Sequence, residues 1–597
     1  MPPPSSLSQP SKRRKTSEDD TLTALRALET KVTDAASSNS SLNPLADLLE
    51  LTVSYEDPQL TLKGIYAMYR VFVILIDSGR LGPHSDEEAK VVREWISDKL
   101  SEFSDFLFGL LKDEEMTLRT SSLQILFALL KHLSSSLSKS SAQLQFHVPF
   151  FKKIVQGLLL CPSSSRPKAT GSNASNASNK ILDAQVRDLL MGTWFNVYDD
   201  VRWFFLREAH PILLANPPQK HPHVRENVLT ILENLKSFPT QPSDLKAWWV
   251  TELGAKPQKS IGATAAEDES DEEPDADDWR AFFNEPDTSS KSSAKSTIPS
   301  VRLSKLTVHQ SLHSLPSHRA VFTRLWLTLL PQLSDGDSES TLSIRALNTM
   351  HRGVMPHLTR AIMLMDWVGA CVDYGGVAGL LALNTLFILM QEYNLDYPSF
   401  YTRLYAFLDR DVLHLKHRAR FFRLADLFLS SSHLPATLLA SFVKRLSRLS
   451  LNAPPSSIVM MVPFTYNVLK RHPALMVMIH RDEDEGSEST EDPFLPDESN
   501  PNLTNALDSS LWELYSHKRH YHSGVSTLAC IFEEAFTKPN YPLEDFLDHT
   551  YSTLFEAETK RRVKKEPAMA LELRGDTFGS LDSAAATDAI ASLWTFS

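Results

Sequence analysis

At 597 residues the chain is too long for a single hydrophobic core and calls for roughly two to four domains, or one elongated repeat array. Its 42 % hydrophobic and 22 % charged content is that of an ordinary soluble globular protein, and its net charge of −12 argues against a generic nucleic-acid binder. Three widely separated cysteines (Cys161, Cys371 and Cys530) without a CxxC exclude a disulfide framework and a cysteine zinc site, and fit a reducing compartment.

Residues 1–20 read as a disordered, Pro- and Ser-rich tail with no apolar stretch of the secretory type. Within it, Lys12, Arg13, Arg14 and Lys15 form a compact basic cluster of the kind that import receptors read, so a nuclear location is expected. A first helical domain is expected over 21–255. The spacing predicts a buried stripe of Leu62, Ile65, Tyr66, Tyr69, Val73 and Ile76, and a second of Val92, Trp95, Ile96, Leu100, Phe103, Phe106 and Leu107. Helices over 118–133 and 146–160 follow, joined by short polar turns. Small polar residues make 162–180 a disordered insert, and its Asn173 and Asn176 sequons are expected to be inert.

Between Glu267 and Asp278 stand nine acidic residues and no basic one, so 256–300 reads as an extended linker between two halves. The linker carries an aromatic motif, Trp279, Phe282 and Phe283, whose exposure in water would favour docking on a partner or on the helices of this chain. A second helical domain is expected over 301–566, interrupted by another acidic loop at 482–498, with a polar tail over 567–597. Gly375–Met390 is apolar but only 16 residues long, and a buried core helix is a better reading than a membrane span, which needs roughly 20 residues. Strand signals are essentially missing. The fold class is therefore all-α: an α-solenoid of HEAT-like helical pairs, in two halves joined by an acidic disordered linker.

The densest functional signal lies between Asp396 and Arg481, where twelve Lys or Arg face four Asp in an otherwise acidic chain. Lys416, Arg418, Arg420 and Arg423 on one predicted helix, and Lys444, Arg445 and Arg448 on the next, would form a continuous positive ridge beside their apolar stripes. Such a ridge could grip a protein partner or RNA phosphates, or could be a solvated face paired with Asp409, Asp411 and Asp426. His517, His520 and His522 do not make a metal site, because His522 points away from the other two and no cysteine or paired carboxylate lies nearby. No phosphate loop or nucleophile elbow is present, so no catalysis, cofactor or metal is expected. Ser17, Ser270 and Ser487 lie in acidic contexts that kinases use, where phosphorylation would deepen an existing negative charge.

The run NLDYPSFY, RARFFRLADLFLSSSHLP and FVKRLSRLSL resembles the CCAAT-binding-factor (CBF) domain of the nucleolar complex proteins. The segments DDWRAFFNE and LDSSLWELYSHKRHYHSGVSTLACIFEEAF resemble one member of that group in a fungal form. The likeness covers about Thr385 to Glu566, and the N-terminal half fits only by length and helical character. The resemblance implies a non-catalytic assembly factor of the small ribosomal subunit, resident in the nucleolus within the small-subunit processome. It also implies a stable complex with nucleolar protein 14, in the processing and export of small-subunit precursors. The acidic loop 482–498 departs from the family pattern as a lineage-specific insertion, and its loss is expected to matter least. Direct contact with precursor ribosomal RNA is the alternative, and a karyopherin-like transport adaptor a more distant one. Neither DNA nor a membrane is expected as a partner: no DNA-reading module is recognisable.

Overall fold

The computed structural model describes residues 12–38, 40–82, 87–140, 144–164, 166, 180–256, 307–334, 341–397, 400–414, 418–480 and 492–562. Among these residues there are helices and turns but no strand, as the sequence requires. They divide into two compact units, 1–400 and 401–597.

The first unit contains fourteen α-helices among its described residues, besides short 3-10 and π turns: α1 (Lys12–Ser38), α2 (Pro44–Ser54), α3 (Pro58–Asp77), α4 (Glu87–Leu110), α5 (Met116–Ser140), α6 (Val148–Leu160), α7 (Ala184–Leu190), α8 (Asp199–Ala215), α9 (Pro222–Glu233), α10 (Val308–Leu312), α11 (Leu315–Leu333), α12 (Thr341–Thr349), α13 (Met365–Asp373) and α14 (Gly376–Glu392). Each packs chiefly on its near neighbours in sequence: α3 on α1 and α5, α6 on α8 and α9, α8 on α11, α12 on α14. That nearest-neighbour logic is the physical signature of a solenoid. The backbone is already helical at Lys12, so the basic cluster expected in a disordered tail opens α1 instead.

Local chemistry sets the helix ends. Asp57 caps α3 by accepting from the Leu60 N–H at 2.9 Å, with Pro58 just inside, where its missing N–H costs nothing. The stripe predicted on α3 is rotated: Ile65 and Ile76 are buried as expected, but the inner face also takes Gly64, Ala67, Met68, Val71, Phe72 and Leu75. The reason is close approach. A Cβ at Gly64 would stand 2.8 Å from Thr52 Cγ2, so α3 comes close to α2 at that point and a glycine is needed on the buried face. By length and composition α3 could cross a membrane, although half of its apolar window is buried within this unit. On α4 the expected stripe holds from Ile96 onward, whereas Val92 is exposed. The apolar helix α14 buries ten of its residues, as read from its length.

The expected division at residues 256–300 does not hold. The helices that follow it in sequence complete the array that precedes it. Trp203 Nε1 donates to Ser317 Oγ at 3.1 Å, Arg345 grips Glu233 at 2.7 Å, and His309 and His313 both approach the Leu253 carbonyl. Two acids at the start of α8 anchor the approach to that region. Asp199 accepts from the Lys246 and Ala247 N–H groups, and Asp200 from those of Val201, Trp249 and Val250. The boundary between compact units falls instead beside Phe400, at the NLDYPSFY run.

The second unit holds α15 (Phe400–Ala406), on whose first residue the division falls, then α16 (Arg418–Phe428), α17 (Ala436–Ser450), α18 (Pro455–Arg471), α19 (Trp512–Ser516), α20 (Ser523–Ala529), α21 (Glu544–Leu547) and α22 (Tyr551–Lys560). Its centre is α18, buried without a break from Ser456 to Leu469 and packed by α16, α17, α20 and α21. A helix apolar on all sides in this way must be enclosed, and the short helices after residue 492 help to enclose it.

Candidate functional site

The basic helices α16 and α17 are built as read, but their charge is used inward. Lys444 is completely buried. Its ammonium lies 2.7 Å from Glu513 Oε1 and 3.0 Å from Asp492 Oδ2, and donates to the Ser510 carbonyl at 2.7 Å. Arg448, one turn on, reaches the same two acids at 3.0 and 3.1 Å, and its guanidinium lies 5.4 Å from the centre of the Trp512 ring. Trp512 Nε1 in turn donates to Asp492 at 3.2 Å. Two cations, two carboxylates and an indole thus close one network.

The network belongs to a longer seam. On α17, Ser441, Lys444, Ser447 and Ser450 recur every three residues and all are buried. Ser441 Oγ meets Thr504 Oγ1 at 2.5 Å and the Pro501 carbonyl; Ser450 Oγ meets His517 Nε2 at 2.7 Å. Residues 492–517 are therefore fastened along α17 by polar contacts inside an otherwise apolar face. Burial of polar groups is tolerable only when each finds such a partner.

Electrostatics follow the geometry. Burial alone would raise the Asp492 carboxyl, but hydrogen bonds from Ser509 and Lys444, with those from the Phe494 N–H and Trp512, hold it well below the usual carboxylate range. At Glu513 burial prevails and pushes the carboxyl up, against the pull of Lys444 and Arg448. Burial, aided by His520, lowers His517 to about 4, so it is neutral at physiological pH.

The other predicted ridge residues have private partners too. Arg418 is buried, donating to Ser456 Oγ at 2.7 Å and to the His549 carbonyl at 3.2 Å. Arg445 donates to the Leu408 carbonyl at 2.7 Å and lies against the Tyr405 ring. Arg423 forms two bonds with Glu544, at 2.8 and 2.5 Å, at the surface. Arg420 is half-buried. A continuous outward positive ridge is therefore not what α16 and α17 present. Lys444 and Arg418 cannot reach a partner, and the acids that answer the ridge include Glu513, Asp492 and Glu544, distant in sequence. The acidic loop also needs correction. Asp492 and the buried Phe494 lie within it, so its last residues are structural and not dispensable.

Lys416, Trp279, Phe282, Phe283, Ser270 and Ser487 lie outside the described residues; Lys12, Arg13, Arg14, Lys15 and Ser17 lie on α1, where the backbone alone is described. Among the described residues no three His, Cys, Asp or Glu side chains converge as metal ligands. Sequence reasoning missed the exposed aromatic surface of the second unit: Trp512, Tyr515, Tyr521, Tyr551 and Phe555, the last two 57 % and 71 % exposed. Helix α22 buries none of its residues, and Tyr551, Leu554 and Phe555 share one face of it by their spacing. The signal was that spacing, in a stretch whose burial cannot be judged from sequence.

Residues 379–529 match the CBF/Mak21 family, and residues 14–217 match the family described as Nucleolar complex protein 4-like, TPR repeats. The chain carries a CBF/Mak21 segment and a segment like that of the nucleolar complex protein 4 group. The second match extends the likeness to the N-terminal half and names TPR repeats where HEAT-like units were read; both are stacked helix pairs. The CBF/Mak21 segment contains the whole Lys444–Arg448–Asp492–Glu513 network, while Glu544 and α22 lie beyond it. Among similar proteins, an uncharacterized protein of Schizosaccharomyces pombe is 52 % identical over 230 residues, covering 38 % of this chain and 47 % of that one. Nucleolar complex protein 4 of Saccharomyces cerevisiae is 42 % identical over 295 residues, 46 % of this chain and 52 % of that one. The human Nucleolar complex protein 4 homolog is 44 % identical over 248 residues, 42 % and 47 % respectively. The chain thus matches about half the length of these relatives. Neither family description names a reaction.

Proposed function

We propose that this chain is a non-catalytic helical scaffold that acts in nucleolar ribosome assembly by docking protein partners on its CBF/Mak21 segment and the helices that follow it. The observation that carries this reading is the use of charge in the second unit. Lys444, Arg448, Arg418 and Arg423 are taken up by acids, a hydroxyl and carbonyls of the same unit, while Tyr515, Tyr521, Tyr551 and Phe555 are left in water. Exposed aromatics are what protein interfaces are rich in, whereas an RNA groove needs unpaired Lys and Arg. Relatives bearing the name Nucleolar complex protein 4 support the nucleolar setting. Within that setting the partner proposed is nucleolar protein 14, in the small-subunit processome, with a role in ribosomal RNA processing and pre-40S maturation; nuclear import would use Lys12–Lys15.

The test uses the full chain, tagged and captured from a fungal extract. Replacing Tyr515, Tyr521 and Phe555 together by Ala should cut recovery of nucleolar protein 14 at least tenfold while circular dichroism stays unchanged. Undiminished recovery would reject the surface. Direct binding to precursor ribosomal RNA would show instead as an affinity of the purified chain that falls steeply with salt.

A further inference from the structure

The polar chemistry least explained by packing lies in the first unit, far in sequence from the CBF/Mak21 segment. Helices α4, α5 and α6 surround a cavity of about 200 Å³. Its wall carries Arg93, Lys153, His147 and the serines 97, 101, 104 and 136, and no Asp or Glu among the described residues. Lys153 Nζ donates to Ser101 Oγ at 2.6 Å, which holds the ammonium at the wall with two further hydrogens to give. Arg93 and the hydroxyls of Ser97 and Ser136 have no protein partner among the described residues. His147 Nδ1 accepts from the Phe150 N–H at 3.1 Å, and burial keeps the ring neutral, so its proton sits on Nε2 as another donor. The floor is apolar, with Leu100 and Phe150 buried.

We propose that this cavity is a recognition site for a phosphomonoester on a protein side chain, a phosphoserine of a partner segment being the fitting case. The donors converge with two positive charges, and an acceptor-rich dianion is the group that would satisfy them together. A monoester carries a second negative charge that a phosphodiester lacks, so a wall bearing both Arg93 and Lys153 favours the monoester over a nucleic-acid backbone.

The full-length chain would be titrated with a short Gly/Ala peptide bearing one phosphoserine, with its unphosphorylated twin, and with a short single-stranded oligonucleotide, at matched ionic strength. The expected result is saturable binding of the phosphopeptide alone, weakened about tenfold by Arg93→Ala and by Lys153→Gln, as loss of a charge-assisted hydrogen bond implies. Arg93 is exposed, so Arg93→Ala keeps the fold and reads the site directly. Equal binding of the two peptides, phosphopeptide affinity indifferent to Arg93→Ala, or binding of the oligonucleotide alone would each overturn the assignment.

Discussion

Replacing Lys444 by Met removes the ammonium but keeps the length and most of the volume of the side chain. Glu513, fully buried, would then keep only Arg448 at 3.0 Å, and Asp492 would lose one of its two cations. Breaking a buried pair from one side costs about 3–5 kcal/mol, because the surviving charge has no solvent to return to. The remaining guanidinium offsets part of this, which places the loss near the lower end, about 3 kcal/mol. A chain of two compact units need not unfold in one step, so the assay should be local. Hydrogen exchange of the α17 amides fits the purpose, where 3 kcal/mol corresponds to exchange accelerated by about a hundredfold. The α3 and α5 amides of the other unit serve as internal reference and should not change. Adding Glu513→Leu to Lys444→Met should restore much of the protection, since the stranded charge is gone. A single mutant within threefold of the parent, or a double mutant no better than the single, would refute the view that this network is a buried clamp.

The surface pair should behave differently. Arg423→Ala removes a two-bond contact to Glu544 in open solvent, and α16 protection should remain within error of the parent, a result readable in the same exchange experiment. The seam also carries a pH dependence. His517 is held near 4 in the fold against 6.5 in the unfolded chain, so its contribution is complete above 6.5 and is lost as pH falls from about 6.5 to 4. Protection of the α17 amides near Ser450, taken relative to the intrinsic exchange rate at each pH, should fall across that window in the parent, and the fall should be smaller in His517→Asn, where only the raised Glu513 carboxyl remains to be protonated in the seam.

The helices themselves were legible because amphipathic spacing, caps and proline placement act locally. The α14 reading survived because a length argument decides it. Three kinds of information were not local. The face of α3 depends on a close approach between Gly64 and Thr52 of α2, a contact that no spacing within α3 announces. The unit boundary was hidden because a run of acids marks where chain cannot pack, and says nothing about whether the helices on either side pack with each other. The fate of the basic residues was hidden because the acids that take up Lys444 and Arg423 lie about fifty to more than a hundred positions away. One trace was present: buried Ser441, Lys444, Ser447 and Ser450 recur at a spacing of three within an apolar helix, a polar stripe that surface charge alone does not need.

The packing of residues 199–256 with residues 307–349 has a practical side. A single protease cut between residues 256 and 307 would sever the polypeptide without separating its products. The fragments ending at 256 and starting at 307 share the α8–α11 packing, the Trp203–Ser317 bond and the Arg345–Glu233 pair. They would migrate as two bands under denaturing conditions and as one particle in a sizing column.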